Sequence, residues 1–541
     1  MIRTRIILAI IIFAIAVVFV TPVFVGPIID KKITALLNEK YPDLSIEIDK
    51  VRWSLIPSRL TIKKITISSK AEYAGQSVLN GKIATIQLKG IKLLKFLFKN
   101  EYKVEEVIIS NSNLEGIVPL KDQEKTPTLS SFDLSIGNVL FDQINLALKD
   151  SSSALTLSVK NGVLNIVDLK IEKLDTLLRL NHLNFRAEQI QSVSDDSLYT
   201  YTATGIVYSD TLKRLSNDSL SIIPNYDEYD FTARHQYETD WIETHFSHIT
   251  LDQFSAADFY NSGNLVSSYI TIGKVDMNVF RDKRKEDSPK EKPAFQEMIY
   301  NYPGFLRIDS ITFADGQITY TEHAEKATEP GKISIQGLNA KIYNLTDDTI
   351  YKTQDASLIM IAQALIMGKG KLEVSLNAKL FDPLHAFSMK GMLAELELKE
   401  LNPILEPNAF MFANSGKIEK INFNFTANDN KATGKMTLLY NELDISIVNK
   451  RTNDTSGLKT QIISFFANKG TWDSNPVPGE EVRVGIIDFE RDPTRFFINY
   501  SIKSIISGIK SSIKKIPKKK KTFLQRIFSS GDEKQEDASK N

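Results

Sequence analysis

The chain has 541 residues, no cysteine, and 67 lysines and arginines against 66 aspartates and glutamates, so its formal net charge is +1. The lack of cysteine excludes disulfides, cysteine-ligated zinc, iron–sulfur clusters, thiol nucleophiles and a lipid-modified cysteine. With 42% hydrophobic and 25% charged residues, the composition also excludes a wholly disordered chain and a polytopic membrane protein.

The N-terminus carries the first predicted element, a membrane anchor. Residues 6–25 (IILAIIIFAIAVVFVTPVFV) contain no charge and follow Arg3 and Arg5. About 20 apolar residues cross a bilayer core of about 30 Å, and basic residues before such a segment keep the N-terminus in the cytoplasm. A cleaved signal peptide is the alternative, but no small-residue cleavage motif follows. We therefore expect a transmembrane anchor at residues 1–27 and an exported body after it.

The body has the period-two pattern of β-strands. Apolar and polar residues alternate from Leu44 onward, and this pattern recurs to about residue 490 with turn residues between the runs. No strict repeat accompanies it, which disfavours a propeller or a leucine-rich solenoid. The sequence predicts a mainly β fold: an elongated, twisted antiparallel body with few short helices, among them a short amphipathic segment just beyond residue 295 and another near residues 401–410.

Local breaks in the alternation predict irregular strand positions. Phase slips at residues 49–50 and 63–64 are typical of β-bulges or strand junctions. The dipeptides Asn161-Gly162 and Asp315-Gly316 predict turns between strands.

Composition divides the body into two β regions. A charged, proline-punctuated segment at residues 281–294 predicts a linker or loop. The expected organisation is therefore an N-terminal β region at residues 28–280, a second β region at residues 295–490, and a basic amphipathic helix with a disordered tail at residues 491–541.

The residues that could carry catalysis are scattered. The six histidines include one close pair, His245 and His248, but residues three apart in a strand point to opposite faces, which disfavours a shared metal. Nucleotide-binding loops, zinc-protease helices and nucleophile elbows are missing from the sequence. We predict a protein that is not an enzyme and that has no cofactor or metal site.

The apolar strand faces can be covered in two ways. Either the protein covers them itself, with another sheet or by closure of the sheet, or it leaves a groove that holds an apolar ligand such as a lipid acyl chain. Periodicity alone favours an ordinary sandwich packed by its own side chains.

The order of elements resembles the AsmA-like family of bacterial envelope proteins. The matching pieces are the N-terminal anchor, SIEIDKVRWSLIPSRLTIKKITISS and KIATIQLKGIKLLKFLFKNEYKVEEVIISNSNLE, and later GMLAELELKELNPILEP, SGKIEKINFNFTA and ATGKMTLLYNELDISIV. The family pattern of a proline loop, a strand, a Leu-Leu turn and a second strand has counterparts at Pro57, Leu60–Ile67, Leu93-Leu94 and Val104–Asn113. The largest family members are far longer than this chain.

The resemblance implies an inner-membrane-anchored periplasmic protein with a β-rich, groove-like fold. Members of the family are linked to phospholipid movement toward the outer membrane and to outer-membrane integrity. The implied hydrophobic groove has candidate lining residues at Ile62, Ile308, Ile335 and Phe423. The family has no catalytic motif to transfer.

The C-terminal region concentrates positive charge. Ten basic and no acidic residues lie between residues 493 and 531, and subtracting them from the total of +1 leaves −9 for the rest of the chain. Five isoleucines (Ile502, Ile505, Ile506, Ile509 and Ile513) fall on one helical face. Such a helix lies on an anionic membrane or packs on the β body, and the pattern leaves both open. The candidate membrane-surface residues are Lys514, Lys515, Lys518, Lys519, Lys520, Lys521, Phe523, Leu524, Arg526 and Phe528.

These observations predict a single-pass inner-membrane protein whose periplasmic body binds or conducts lipid acyl chains and supports lipid transport to the outer membrane. The expected partners are membrane lipids, with phospholipid first, and outer-membrane or envelope proteins, but not nucleic acid. The alternative is an envelope scaffold that does not transport lipid and modulates outer-membrane protein assembly through its strand edges.

Overall fold

The computed structural model describes residues 44–55, 58–70, 78–91, 101–118, 133–171, 182–350, 357–447 and 472–514. Their dominant feature is one sheet of 20 strands, so the mainly β prediction is confirmed. The strands of the first half are β1 (Leu44–Leu55), β2 (Ser58–Ser69), β3 (Val78–Lys89), β4 (Glu101–Val118), β5 (Asp133–Asp150), β6 (Thr156–Ile171), β7 (His182–Val193), β8 (Tyr199–Ser209), β9 (Arg214–Pro224) and β10 (Asp240–Asp252).

The second half of the sheet carries the remaining strands, and short helices lie beside it. The strands are β11 (Leu265–Ile272), β12 (Val275–Asp282), β13 (Leu306–His323), β14 (Gly331–Thr346), β15 (Ser357–Ile366), β16 (Gly370–Lys379), β17 (Phe387–Glu397), β18 (Met411–Ala427), β19 (Lys431–Ile447) and β20 (Val484–Glu490). The helices are α1 (Glu228–Ala233), α2 (Ala256–Ser262), α3 (Phe295–Tyr300), α4 (Asn402–Ala409), which follows a 3₁₀ turn at Leu398–Leu401, and α5 (Phe497–Ile513). The predicted short helices near residues 295 and 401 are confirmed by α3 and α4.

The strands pair in chain order from β1 at one edge to β20 at the other. β11 and β12 share one position, because both pair with β10 and with β13 in a constant register. At about 4.8 Å per strand, the sheet measures roughly 85 Å along its contour. The segments that precede β1 and follow β20 in sequence therefore join the sheet at opposite edges.

The prediction of a wholly antiparallel body was wrong at three pairs. β4 pairs with β5 in parallel, and β13 pairs in parallel with both β11 and β12. Two parallel neighbours need a crossover of a dozen or more residues, and residues 119–132 and 283–305 provide the two connections. The predicted charged linker is therefore a crossover, except that Arg281 and Asp282 end β12.

A line of irregular positions, which we call the crease, crosses the sheet from β1 to β14. The strands pair in the same register on both sides of the crease. Lys64 therefore lies opposite Ala84, and Ala84 lies opposite Asn111. Gly205 and His248 lie at the same level on opposite sides of β9. Eight crease residues have left-handed backbone, with φ between 48° and 59°: Lys64, Asn111, Gln143, Asn161, Gly205, His248, Asp315 and Gly337.

The crease changes the phase of the burial pattern within a strand. In β2, Lys63 and Lys64 are consecutive exposed residues, while Ile62 and Ile65 on either side are buried. The change of phase keeps the apolar residues of β2 on one face of the sheet, which we call the inner face, above and below the crease. The predicted phase slip at residues 63–64 coincides with the left-handed backbone of Lys64, but the register with β3 is the same on both sides, so no extra residue is inserted.

The two predicted turns were wrong. Asn161-Gly162 lies inside β6 and Asp315-Gly316 inside β13, both at the crease. Asn and Asp tolerate left-handed backbone better than most residues, and a bulge requires that conformation as much as a turn does. An Asn-Gly or Asp-Gly dipeptide therefore marks an irregular position within a strand here, not a turn between two strands.

We expect the backbone at Lys64 to reveal the strain of the crease. Lys64→Val should lower the free energy of unfolding by about 1–2 kcal/mol, because a β-branched residue fits left-handed backbone poorly. Lys63→Val, one residue earlier and equally exposed, is the matched control and should change it by less than about 0.5 kcal/mol. Urea denaturation of both variants measures the difference, and equal effects would contradict the crease geometry.

The inner face holds two hydrophobic cores. The first core joins β1–β8 and includes Leu60, Ile86 and Phe141. The second joins β11 and β13–β20 with α3 and α5, and includes Leu376 and Phe425. Half-buried Leu251 and Leu265 pack against both, so the apolar interior continues across the predicted domain boundary.

Candidate functional site

The apolar face of the second half is built from rows of residues that lie directly opposite one another on adjacent strands. One such row, which we call the core row, crosses eight strands at Ile311, Ile342, Met360, Leu376, Met389, Phe425, Gly434 and Ile487. Directly opposed residues point to the same face of a sheet. The core row therefore gives this face an unbroken apolar surface perpendicular to the strands.

The burial of this apolar face differs between the two ends of the core row. At the β16–β20 end the core row is buried, whereas on β13–β15 its members remain half-buried. The next row on the same face contains small residues there, and these are half-buried too. We call this partly accessible surface the open strip: Ala340, Ile342, Met360, Ala362 and Val374.

The predicted groove residues do not share one continuous open surface. Ile62 is fully buried in the first core. Ile308 and Phe423 are buried in the second core, on the same face as the open strip. Ile335 is half-buried and lies opposite Ile366 at the margin of the second core.

A groove of about 890 Å³ crosses β13–β18 near the open strip. Its floor is the row of directly opposed residues that contains Ala340, Ala362 and Gly391. Its walls are the residues that come immediately before and after the floor residues in each strand. The large core-face side chains two positions away, such as Met360 and Met389, are not part of the described lining. Because side chains alternate between faces, the groove opens on the face opposite the second core.

The walls of this groove are mixed in character. Lys341 and Lys390 stand on one wall, and Gln363, Glu373 and Asn422 stand on the other. Its volume lies within the range of about 300–1,000 Å³ typical of small-molecule sites. Ile361, Met392 and the apolar floor row complete the lining, and the exposed lining is more apolar than polar, so the groove does not favour a polar ligand over an acyl chain.

Helix α5 closes the β20 end of the sheet through small residues. Its buried side consists of Tyr500, Ser501, Ser504, Gly508, Ser512 and Ile513. A Cβ atom on Gly508 would lie 2.7 Å from Ile487 Cγ1, and one on Gly485 would lie 2.5 Å from the Gly508 carbonyl oxygen. The predicted isoleucine face is therefore split: Ile513 is buried, Ile505 and Ile509 pack at the core margin, and Ile502 is 52% exposed.

The same helix caps the free edge of β20. The backbone N–H of Ile486 donates to Ser511 Oγ at 2.9 Å, and that of Asp488 donates to Ser507 Oγ at 3.2 Å. Four residues of helix and two residues of strand advance by similar lengths, about 6–7 Å, which brings these donors and acceptors into register. A sheet edge that could pair with another strand is thus satisfied from within the chain.

A group of charged and titratable side chains, buried at Glu238 and exposed at Asp287 and Asp492, joins the middle of the sheet to α5 and the segment before it. We call it the charged cluster: Glu238, Asp240, Arg281, Lys283, Asp287, Glu322, Asp492, Arg495 and Lys503. Arg281 contacts Glu238 at 3.2 Å and Asp240 at 2.5 Å, and Lys283 contacts Glu322 at 3.3 Å. Arg495 pairs with Asp287 and lies 3.5 Å from Glu238.

Two carboxyl groups of the charged cluster share a hydrogen bond and titrate differently. Burial, reinforced by the bond to Asp287, raises the pKa of Glu238 to about 7. The hydrogen bond from Glu238 lowers the pKa of Asp287, and Arg495 adds to that effect. Glu238 therefore holds the shared proton and Asp287 carries the charge at acidic pH.

The histidines serve structural contacts. His323 receives a hydrogen bond from Tyr229 Oη at 2.8 Å and lies 3.0 Å from the Ala327 carbonyl oxygen. His385 contacts Asp429 at 2.6 Å, and His245 contacts Ser221 at 2.9 Å. Among the described residues, no group of three or more acidic residues or histidines is placed to hold a metal ion.

The predicted membrane contacts fall largely outside the described residues. The anchor at residues 1–27 and nine of the candidate surface residues lie there, whereas Lys514 is described and exposed just after α5. Within the described ranges, no helix has both the length and the apolar character needed to cross a membrane.

Comparison with known proteins leaves the chain without an assigned family. No family model matches it, and no curated protein matches it. Its function must therefore be argued from its own residues.

Sequence reasoning missed the charged cluster. Its members come from β10 and the segment before it, β12, β13, the crossover, and α5 and the segment before it, so no local motif contains them. The one available signal was the pair of charge-rich stretches at residues 281–294 and 491–495, whose contact depends on the fold.

Proposed function

We propose that this chain is an envelope protein that binds lipid acyl chains on the apolar inner face of its sheet. The observation that carries the proposal is the open strip, an apolar surface that the described residues leave partly accessible in the middle of a continuous hydrophobic face. Burial of each methylene group there is worth about 0.8 kcal/mol. An ordinary sandwich would cover this surface with its own side chains.

The dimensions of the sheet suit an acyl chain. From β13 to β16 the half-buried part of this face crosses three strand spacings, or about 14 Å. One leaflet of a bilayer core is about 15 Å deep, half of its total thickness of about 30 Å. The face can therefore accept an extended acyl chain lying across the strands.

The topology is consistent with a body that lies between two membrane-contacting segments, one at each edge of the sheet. In the proposed arrangement, the anchor at residues 1–27 adjoins the β1 edge, and the basic region at residues 514–528 adjoins the β20 edge. Each basic residue near an anionic surface contributes about 1 kcal/mol of attraction. The resemblance to AsmA-like proteins is consistent with lipid transport toward the outer membrane, with the body in the periplasm.

Photocrosslinking at alternate positions of one strand tests this proposal. A photoreactive residue at Met360 or Ala362 faces the open strip, whereas one at Ile361 or Gln363 faces the other side of β15. After irradiation in cells, we expect crosslinked lipid at positions 360 and 362 and little or none at 361 and 363.

Strand alternation makes the second pair of positions a matched control, because all four lie at the same height on the sheet. Equal lipid labelling at all four positions would show nonspecific contact with a membrane. Labelling confined to 361 and 363 would place the ligand in the groove on the opposite face of the sheet. Either result would contradict the proposal.

A further inference from the structure

The charged cluster has a net charge that depends on a single proton. Four cations (Arg281, Lys283, Arg495 and Lys503) face five carboxyl groups (Glu238, Asp240, Asp287, Glu322 and Asp492). When Glu238 is protonated the charges balance. When it ionises, one uncompensated negative charge is left in a site where Glu238 itself is only 6% exposed.

The elements that meet in the charged cluster add to the contacts that α5 makes with β20, because they tie down the segment that leads into the helix. Lys292 N–H donates to the Pro493 carbonyl oxygen at 2.8 Å, which ties the crossover to the segment before the helix. Arg491 Nη2 donates to the Lys292 carbonyl oxygen at 3.2 Å. Glu238 N–H donates to the Glu286 carbonyl oxygen at 2.9 Å, so the crossover lies between Glu238 and the start of α5.

We propose that the charged cluster is a proton-operated latch, which holds the crossover and α5 on the sheet while Glu238 is protonated and loosens them when it ionises. Ionised Glu238 and Asp287 would repel each other at hydrogen-bond distance, and little water reaches Glu238, which is 6% exposed, whereas Asp287 is 53% exposed. Opening the latch gives the Glu238 carboxylate water. Because α5 covers the β20 end of the second core, its release would also uncover that end of the apolar face.

The sign of the pH effect follows from the protons bound in each state. Glu238 has a pKa of about 7 in the closed state, raised chiefly by burial, and returns toward its ordinary value near 4.5 when exposed to water. The closed state therefore binds more protons between those values, and closure is lost as pH rises through about 7. Asp287 acts in the opposite direction, but only at pH values below its ordinary range.

Burial also changes the pKa values of two neighbours of the charged cluster. It raises the pKa of Tyr320, which donates a hydrogen bond to Glu322, well above neutrality. It lowers the pKa of Lys503 from its ordinary alkaline value. The guanidinium groups of Arg281 and Arg495 remain charged throughout, because the pKa of each is raised further.

Hydrogen exchange of the full chain between pH 5.5 and 8.5 tests the latch. The protection factor of residues 497–513, corrected for the intrinsic pH dependence of exchange and compared with β16–β17, should fall by roughly thirtyfold as pH rises. Glu238→Gln keeps a hydrogen-bond donor toward Asp287 but cannot ionise, so its α5 protection should stay constant. Asp287→Asn removes the repelling carboxylate and should shift the midpoint to lower pH.

The outcomes separate the latch from a purely structural salt bridge. A flat wild-type profile, or the same pH-dependent loss in Glu238→Gln, would overturn the proposal. If Glu238→Gln does not fold, the direction of the Asp287→Asn shift decides the question. Only the consequence for the apolar face rests on the proposed function. The exchange experiment contains no lipid, so its failure and a failure of the crosslinking experiment are distinguishable.

Discussion

Substitution of Gly485 by valine is expected to detach α5 from the sheet and to lower the free energy of unfolding by about 3 kcal/mol or more. A Cβ at this position would lie 2.5 Å from the Gly508 carbonyl oxygen and 3.0 Å from the Ser512 nitrogen, both in the helix backbone. Backbone atoms cannot move aside as a flexible side chain can, so the overpacking is not relieved locally. Hydrogen exchange should show loss of protection across residues 497–513.

A neighbouring residue provides the control for this substitution. Ile486 is 52% exposed and points away from the packed side of β20. Ile486→Val should leave stability within about 0.5 kcal/mol of wild type and α5 fully protected. In Gly485→Val the helix should be unprotected at every pH, so the pH dependence expected from the latch should vanish. Retained protection in Gly485→Val would mean that α5 docks by other contacts.

The second large effect is expected at Phe425, where alanine should lower the free energy of unfolding by about 3–5 kcal/mol. Phe425 is 1% exposed, and its ring stands edge-on to that of Phe387 with centroids 6.2 Å apart. It also packs over Gly434, where a Cβ would lie 2.5 Å from the Phe425 Cβ. Truncation therefore leaves a cavity in a fully buried part of the second core.

Phe412 in the same strand is the matched control for Phe425. It is 38% exposed, so Phe412→Ala should cost less than about 1 kcal/mol. Chemical denaturation of the two variants gives the comparison. Similar costs at both positions would contradict the description of the inner face as a packed core at its β18 end.

The alternation of apolar residues was sufficient to predict the mainly β fold, because burial of one strand face imposes a period of two. The slip at residues 63–64 was readable for the same reason, since the left-handed backbone of Lys64 coincides with a change in the phase of that period. The parallel pairs were not readable, because alternation is identical in parallel and antiparallel strands that have one buried face. Asn161 and Asp315 show a related limit, since tolerance of left-handed backbone does not distinguish a turn from a bulge.

The site could be predicted only in part. Phe423 and Ile308 share a core face with the open strip, but the sequence did not distinguish them from Ile62, which is enclosed. Exposure along a strand depends on what covers the sheet, and that depends on contacts between distant segments. The side of α5 that packs was also missed, because Ser504 and Gly508 allow a close approach to β20 that hydrophobicity alone does not indicate.

The central claim, that the open strip holds lipid, is tested most directly by native mass spectrometry of the purified full chain followed by lipid extraction. We expect wild-type protein to retain phospholipid. Ala362→Trp, which fills the strip, should lose it, and Gln363→Trp on the opposite side of β15 should retain it. Wild-type protein that is free of lipid, or equal lipid content in the two tryptophan variants, would contradict the proposed function.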